Sequence, residues 1–176
     1  MHLLFFPFSF LFAMLTNIRN LLFDMSILPS KKFDIPVICI GNLSTGGTGK
    51  TPHTDYIISL LKENYNVAIV SRGYGRKTKG FKEVKSDCSP NKVGEEALLL
   101  KQKHPNCIVV IDEERKNGIE RILKDYTEID VILMDDGFQH RRVNAGLNIL
   151  LTTLKSPYYK DYLLPMGTLR ESKRNA

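Results

Sequence analysis

VICIGNLSTGGTGKT, at residues 37–51, joins an apolar, mostly β-branched run to a glycine-rich loop that ends in Gly-Lys-Thr before a helical pattern begins. Backbone N–H groups of such a loop can surround phosphate oxygens, and the following helix presents the positive end of its dipole to them. Lys50 would then reach the outer phosphates, and the Thr51 hydroxyl would bind Mg²⁺. The stretch therefore predicts a phosphate-binding loop and a protein that handles a nucleoside triphosphate.

The loop departs from the strict pattern G-x-x-x-x-G-K-[ST] at one position, because Ser44 stands where the pattern has its first glycine. Glycines later in the loop can still supply the positive φ angles that the turn needs. The predicted nucleotide-binding residues form one continuous run, which consists of Ser44, Thr45, Gly46, Gly47, Thr48, Gly49, Lys50 and Thr51.

Size and composition fit one globular domain, since the 176 residues are 43% hydrophobic and 25% charged. Three cysteines without C-x-x-C spacing argue against a disulfide framework or a zinc site, and we predict that Cys39 and Cys107 are core residues in a reducing compartment. The net charge of +6 fits a solvated basic surface, and the more specific interpretation is attraction to an anionic lipid or a phosphorylated substrate. Without an aromatic-rich RNA-binding signature, the sequence argues against nucleic acid.

The N-terminus differs from the rest of the chain. Its nearly all-apolar run at residues 3–15 is shorter than the roughly 20 residues of a membrane span. Leu11, Leu15 and Ile18 recur at helical spacing, and Asn17 and Asn20 lie on the opposite side. We therefore expect residues 1–30 to form an amphipathic, membrane-associated helix, with a helix packed on the protein's own core or on a partner as the alternative.

Strand-like and helical patterns alternate from residue 31 onward. The predicted strands cover residues 37–41, 67–71, 81–85, 107–111, 131–134 and 147–151, and the predicted helices cover residues 50–64, 93–103 and 113–125. This order predicts an α/β fold, with a P-loop NTPase-like three-layer αβα domain and a mostly parallel sheet over residues 31–176. Binding sites of such sheets lie beyond the carboxyl ends of the strands.

A second motif, DVILMDDGFQH at residues 130–140, delivers two carboxylates at the end of an apolar strand. In P-loop proteins an acidic residue at such a strand end helps to hold Mg²⁺. Adjacent side chains alternate faces on a strand, so Asp135 and Asp136 should differ in role. We expect one of them to face the metal and the other to orient water, substrate or a basic partner.

The sequence leaves the roles of two nearby features undecided. The RGYGR loop at residues 72–76 is either a clamp on phosphate or a mobile exposed turn. His140 is either a base or, beside Arg141 and Arg142, a structural residue.

Five segments together resemble the tetraacyldisaccharide 4′-kinase family, the lipid A 4′-kinases of Gram-negative bacteria. They are GNLSTGGTGKTP at residues 41–52, SRGYGR at 71–76, VGEEALLL at 93–100, MDDGFQHRR at 134–142 and LLPMGTLRE at 163–171. The resemblance also includes the N-terminal apolar helix and therefore extends over essentially the whole chain. Ser44 in the first-glycine position is similar to what this family has.

The resemblance implies a kinase on the cytoplasmic face of the bacterial inner membrane, in contact with its anionic surface. Such an enzyme transfers the γ-phosphate of ATP, with Mg²⁺, to the 4′-hydroxyl of a tetraacylated glucosamine disaccharide 1-phosphate, the lipid A precursor. It implies Lys50, Glu95, Asp135, Asp136 and Arg170 as catalytic residues. It also implies the metal ligands Thr51, Asp135 and Glu171.

Two departures from the family qualify this expectation. The family has Gly-Asp-Glu where this chain has Gly94, Glu95 and Glu96, so the family's candidate general base is here a glutamate with one more methylene. The family is also considerably longer, and its second half supplies a smaller domain with a histidine that pairs with the catalytic acid. The chain therefore resembles an N-terminal half that lacks part of the cleft.

The main alternative is a membrane-tethered P-loop ATPase or GTPase switch, which would share the loop, the strand-end aspartate and the N-terminal helix. The sequence contains no N/T-K-x-D element of the kind that commonly selects guanine. A non-catalytic remnant is a third interpretation. The oligomeric state and the acyl-chain specificity are left open by the sequence.

Overall fold

A computed structural model of the chain describes residues 5–175. The first two residues of the apolar N-terminal run lie outside this range. The helices are α1 (Phe6–Asp24), α2 (Lys50–Leu61), α3 (Pro90–Val93), α4 (Glu95–Lys103) and α5 (Arg115–Asp125), and the strands are β1 (Val37–Asn42), β2 (Val67–Ser71), β3 (Lys82–Glu83), β4 (Ile108–Ile111), β5 (Val131–Asp135) and β6 (Leu147–Leu151).

The strands form one sheet in the order β3-β4-β2-β5-β1-β6. All neighbours pair in parallel except β3, which runs antiparallel to β4. The central strands β2 and β5 are buried along their whole length, which explains their continuous apolar sequences. The predicted α/β fold with a mostly parallel sheet is confirmed.

Two apolar clusters cover the two faces of the sheet and make the fold three-layered. On one face, Ile58 of α2 and Leu98 of α4 pack against Ile69 and Leu133. On the other face, Ile119 of α5 packs with residues such as Val70, Cys39 and Met134. Because β1 and β5 are parallel neighbours, their carboxyl ends open at the same edge of the sheet, between the helical layers.

One predicted helix is divided in two. The sequence predicts a single helix over residues 93–103, but α3 ends at Val93 and α4 begins at Glu95. Gly94 between them has φ 88° and ψ 148°, a conformation that a helix cannot contain and that glycine adopts most easily. A Cβ atom at Gly94 would lie 2.7 Å from the carbonyl oxygen of Tyr74, so the glycine also permits close packing against the 72–80 loop.

Helix α1 forms as predicted and has an unusual polarity. By length and composition alone it could cross a membrane, a test that a signal sequence or a core helix would also pass. Phe8, Leu15 and Ile18 are exposed, whereas Ser9 and Asn20 are buried together with Phe23. The helix therefore turns most of its apolar surface outward and packs on the domain largely through polar groups.

Candidate active site

The phosphate-loop candidate leaves the carboxyl end of β1 and enters α2. Gly46 and Gly49 have φ angles of 105° and 79°, which side-chain-bearing residues rarely adopt. Gly49 is the N-cap of α2, and no side chain of residues 5–175 caps this helix, so the first-turn N–H groups and the positive end of the helix dipole are available to an anion. The loop thus has the geometry that its glycines predict.

Two cations converge on one carboxylate beside this loop. Lys50 Nζ lies 3.6 Å from Asp136 Oδ1, and Arg170 Nη1 lies 3.4 Å from the same oxygen. Lys50 also donates to Asn42 Oδ1 at 3.3 Å, and Arg170 donates to Gln139 Oε1 at 3.3 Å. The structure therefore brings Lys50, Asp136 and Arg170 together from three segments that are distant in sequence.

Asp135 points away from these cations into the protein. Its side chain is 1% exposed and accepts hydrogen bonds from Thr54 Oγ1 at 2.9 Å and from Ser71 Oγ at 3.4 Å. Burial raises the pKa of Asp135 to about 6, the hydroxyl of Thr54 opposes that rise, and the charge of Glu96 adds to it. The two adjacent aspartates thus differ in environment, and the expected difference in their roles stays a prediction.

The backbone of Asp136 has φ 48°, the left-handed region, which is uncommon for residues other than glycine. The guanidinium of Arg115 lies beneath this turn and donates to the carbonyl oxygens of Asp135 and Asp136, both at 3.4 Å, and to that of Asp112 at 2.7 Å. Arg115 is 1% exposed, and burial lowers its pKa to about 10 while the two aspartates oppose the shift. A buried arginine therefore supports the backbone conformation that aims Asp136 at Lys50.

Several polar atoms around the loop are buried without a partner among the described residues. They are Thr48 Oγ1, Asn42 Nδ2, Arg115 Nε and Glu171 Oε1. Buried polar groups are normally hydrogen-bonded, so unpartnered atoms beside a phosphate-type loop suit a site that a ligand completes. Thr51 likewise makes no recorded side-chain hydrogen bond within residues 5–175, which leaves its hydroxyl free for a ligand.

Within the same residues, no group of three or more His, Cys, Asp or Glu side chains forms a metal site by itself. Mg²⁺ at nucleotide sites is typically held by one or two protein oxygens together with phosphates and water. The free Thr51 hydroxyl and the nearby Asp135 carboxylate are of the type that such a site uses, so the residues present fit the metal.

The other two predicted acidic residues are placed differently. Glu171 is 3% exposed and accepts hydrogen bonds from Asn20 and Asn175, and no hydrogen bond joins it to Thr51 or Asp135. Glu95 is exposed at the start of α4 and has no polar partner among residues 5–175. The metal role of Glu171 and the base role of Glu95 stay predictions.

Sequence reasoning missed several residues that build this site. Thr54 follows Lys50 by one helical turn, and the spacing could have indicated its proximity. Arg115 precedes the apolar Ile119 of α5 by four positions and therefore shares its face, a signal that the sequence contains. Asn42 and Gln139 carry no comparable pattern in a single sequence.

A basic cavity of about 310 Å³ lies beside the end of α1. Its lining includes the acidic Glu114, His140 and three apolar residues, and its cationic members are Arg19, Arg115, Lys116, Arg141 and Arg142. Burial and the charges of Arg115 and Arg72 lower the pKa of His140 to about 4, so its imidazole is neutral at pH 7. The surface next to the apolar helix is therefore positively charged.

Comparison with known proteins gives consistent results. A sequence profile described as tetraacyldisaccharide-1-P 4′-kinase matches residues 1–176. A tetraacyldisaccharide 4′-kinase of Flavobacterium johnsoniae is 47% identical over 97% of this chain, and one of Parabacteroides distasonis is 48% identical over 94%. A crystal structure of an "apo" form of LpxK from Aquifex aeolicus in complex with ATP superposes with a TM-score of 0.90 at 41% identity over 99% of this chain.

These matches cover only part of the proteins compared. The chain spans 50% of the Flavobacterium johnsoniae relative, 45% of the Parabacteroides distasonis relative and 55% of the Aquifex aeolicus chain. The chain thus spans about half the length of the curated relatives it matches, and the fold and site described above correspond to that half.

Proposed function

The chain belongs to the tetraacyldisaccharide-1-P 4′-kinase family, and we propose that it carries the ATP site of such a kinase. The complete reaction would move the γ-phosphate of ATP to the 4′-hydroxyl of a tetraacylated glucosamine disaccharide 1-phosphate. In this proposal, residues 31–176 form the nucleotide-binding domain, and residues 1–30 form the membrane-associated helix. The ATP-bound LpxK structure, similar over 99% of this chain, supports ATP as the nucleotide.

The observation that carries the proposal is the convergence of Lys50 and Arg170 on Asp136 at the mouth of a phosphate-type loop. Phosphoryl transfer needs little covalent help from a protein and depends on positioning and on charge stabilisation. Loop amides from Gly46 to Lys50 would hold the phosphates. Lys50 and Arg170, released from Asp136, would stabilise the charge on the transferring group.

Mg²⁺ would be held by Thr51 and Asp135 and, by family resemblance, by Glu171. When bound, the metal neutralises charge on the terminal phosphates and orients them. Near neutral pH the carboxylate form of Asp135 is needed for this role. With a pKa of about 6, most of the Asp135 carboxyl is already ionised at pH 7 and can serve the metal in that form.

Glu95 is the proposed general base, which would take the proton of the 4′-hydroxyl as its oxygen attacks the γ-phosphorus. Its position at the first residue of α4 is fixed by Gly94, whose backbone packs against Gly73 and Tyr74 of the 72–80 loop. This packing brings Glu95 next to the basic loop that contains Arg72. A cationic loop beside a base suits an acceptor that carries phosphate.

The membrane side of the proposal rests on α1 and the basic cavity. Phe8, Leu15 and Ile18 expose apolar surface, and the adjacent cavity is lined by Arg19 and Arg142. Apolar groups bordered by cations favour the interface of an anionic bilayer. Because ATP is cytoplasmic, we place the protein at the cytoplasmic face of the inner membrane, where a lipid A precursor would be its substrate.

Two assays test the proposal. The purified chain should bind Mg·ATP in a fluorescence titration, and Lys50→Ala should abolish that binding while leaving the thermal unfolding transition intact. A chimera in which these 176 residues replace the matching half of the Flavobacterium johnsoniae relative should phosphorylate the tetraacyl disaccharide 1-phosphate. The chimera with Lys50→Ala should not.

The outcomes separate the competing functions. Phosphate release that needs no lipid acceptor in either protein would favour the membrane-tethered switch. A chain that unfolds without a cooperative transition and binds no nucleotide would favour the non-catalytic remnant. Phosphorylation by the chimera together with none by the isolated chain would mean that the second half of the cleft is required.

A further inference from the structure

Helix α1 contacts the domain through buried polar side chains at two points. Ser9 Oγ donates to the carbonyl oxygen of Leu163 at 3.1 Å and accepts from the backbone N–H of Met166 at 3.0 Å. Asn20 Nδ2 donates to Glu171 Oε2 at 2.8 Å. Ser9 and Asn20 are eleven positions apart in the helix, or about 16 Å, so α1 holds both ends of the 163–171 segment.

The opposite side of the 163–171 segment pairs with the phosphate loop. The Arg170 N–H donates to the carbonyl oxygen of Leu43 at 2.7 Å, and the Thr45 N–H donates to that of Thr168 at 2.8 Å. The Arg170 side chain reaches Asp136. The segment is therefore clamped between α1 on one side and the loop that would hold the nucleotide on the other.

Asn20 and Glu171 form the buried end of this clamp, at 2% and 3% exposure. Glu171 receives both of its recorded hydrogen bonds on Oε2, from Asn20 and from Asn175, and its Oε1 is unpartnered among the described residues. A buried carboxylate is stable only where donors compensate for its lost hydration. Removal of Asn20 would leave the Asn175 amide as its one recorded donor.

We propose that Asn20 is a positioning residue, which fixes Glu171 and through it the 163–171 segment against the phosphate loop. The outward-facing apolar helix thereby also shapes the nucleotide site. The effect on nucleotide binding rests on the proposed function, whereas the effect on the segment does not. Asn17, exposed on the same helix and without a recorded polar contact among residues 5–175, offers a matched control.

Hydrogen exchange of the full 176-residue chain tests the positional part without any ligand. Asn20→Ala should speed exchange of the Leu169 and Arg170 amides about ten-fold, whereas Asn17→Ala should leave both as in the wild type. Both variants should keep the exchange pattern of the central strands, which reports that the fold persists. Equal exchange at these amides in the two variants would overturn the proposal.

An exchanged pair tests whether the side chains act on each other. Asn20→Asp combined with Glu171→Gln keeps one carboxylate and one amide in contact with their positions reversed. The double variant should restore slow exchange of the Leu169 and Arg170 amides, because the amide again donates to the carboxylate. If it exchanges as fast as Asn20→Ala, the proposed contact does not fix the segment.

Nucleotide affinity provides the second readout. Asn20→Ala should weaken binding of ATP about ten-fold relative to Asn17→Ala, since the backbone partners of the loop become mobile. Lys50→Ala should remove ATP binding and leave the exchange of the 163–171 amides unchanged. Failure of ATP binding in the wild type would thus reject the proposed function, and hydrogen exchange alone would then decide the role of Asn20.

Discussion

Replacement of Asp136 by asparagine should make metal-free ATP bind more tightly. The Asp136 carboxylate pairs with Lys50 at 3.6 Å and with Arg170 at 3.4 Å. A phosphate that takes over these cations must first break both ion pairs. Asp136→Asn removes the competing charge, and asparagine tolerates the φ of 48° at this position.

The magnitude follows from the exposure of the three side chains. Two unit charges about 4 Å apart interact by about 4 kcal/mol at an effective dielectric constant of about 20, but a partly exposed pair retains only about 1 kcal/mol after desolvation and entropy. Lys50, Asp136 and Arg170 are 14%, 29% and 30% exposed, which places both pairs in this partly exposed class. Loss of about 1–2 kcal/mol of competition corresponds to an affinity gain of about ten-fold.

Titration with a fluorescent ATP analogue in EDTA measures the effect. Asp125→Asn, at the far end of α5, changes the net charge equally and should leave the dissociation constant unchanged. An unchanged or weakened affinity in Asp136→Asn would refute the reasoning, since it would mean that the carboxylate does not compete with the nucleotide for these cations. A similar gain in affinity in both variants would mean that the change in net charge alone explains it.

Three further changes test the supports of the site. Arg115→Met should lower the free energy of unfolding in urea by about 3–5 kcal/mol, because it leaves buried carbonyl oxygens unpaired. The control Lys116→Met, on the helix surface, should change that free energy by no more than about 0.5 kcal/mol. Similar losses in the two variants would argue against a special role for the buried arginine. Burial raises the pKa of Asp135 from 3.8 to about 6, so the folded protein binds this proton more tightly than the unfolded chain, and the stability that the proton contributes is lost between about pH 4 and 6. Without Mg²⁺, the free energy of unfolding of Asp135→Asn relative to wild type should therefore rise by roughly 2–3 kcal/mol over that interval. A difference that does not change with pH would contradict this pKa. Gly94→Ala should lose about 3 kcal/mol or more of stability in thermal unfolding, because its Cβ would meet a backbone atom at 2.7 Å. The control Gly75→Ala, at φ 78° with open space around it, should lose only about 1 kcal/mol. Equal losses would mean that the strain of a positive φ acts alone.

The strand–loop–helix around Lys50 could be predicted because its signals are local. Glycines mark the positive φ angles, the apolar run marks a buried strand, and the lysine follows at a fixed distance. The strand-end pair could be placed near the loop because parallel strands open at one edge. Which aspartate meets Lys50 could not be predicted, because it depends on the left-handed turn at Asp136 that Arg115 supports from another helix.

For the N-terminal helix, the sequence predicts the helix but not the residues that it contacts. Its periodicity predicts a helix and identifies the apolar side, and Leu15 and Ile18 on that side are exposed. Periodicity gave no information on what the polar side touches. The contact of Asn20 with Glu171 joins residues 151 positions apart, and only tertiary structure brings them together.

Strand β6 forms one edge of the sheet. Among the described strands it pairs with β1 alone, so its outer row of amide and carbonyl groups is open, and its first residue, Leu147, is half exposed. An unprotected rim of this kind is a template for adding another extended segment, including one from a neighbouring copy. Concentrated solutions of this 176-residue chain should therefore self-associate along that rim, and Leu147→Lys, a gatekeeper substitution, should keep them monodisperse in light scattering.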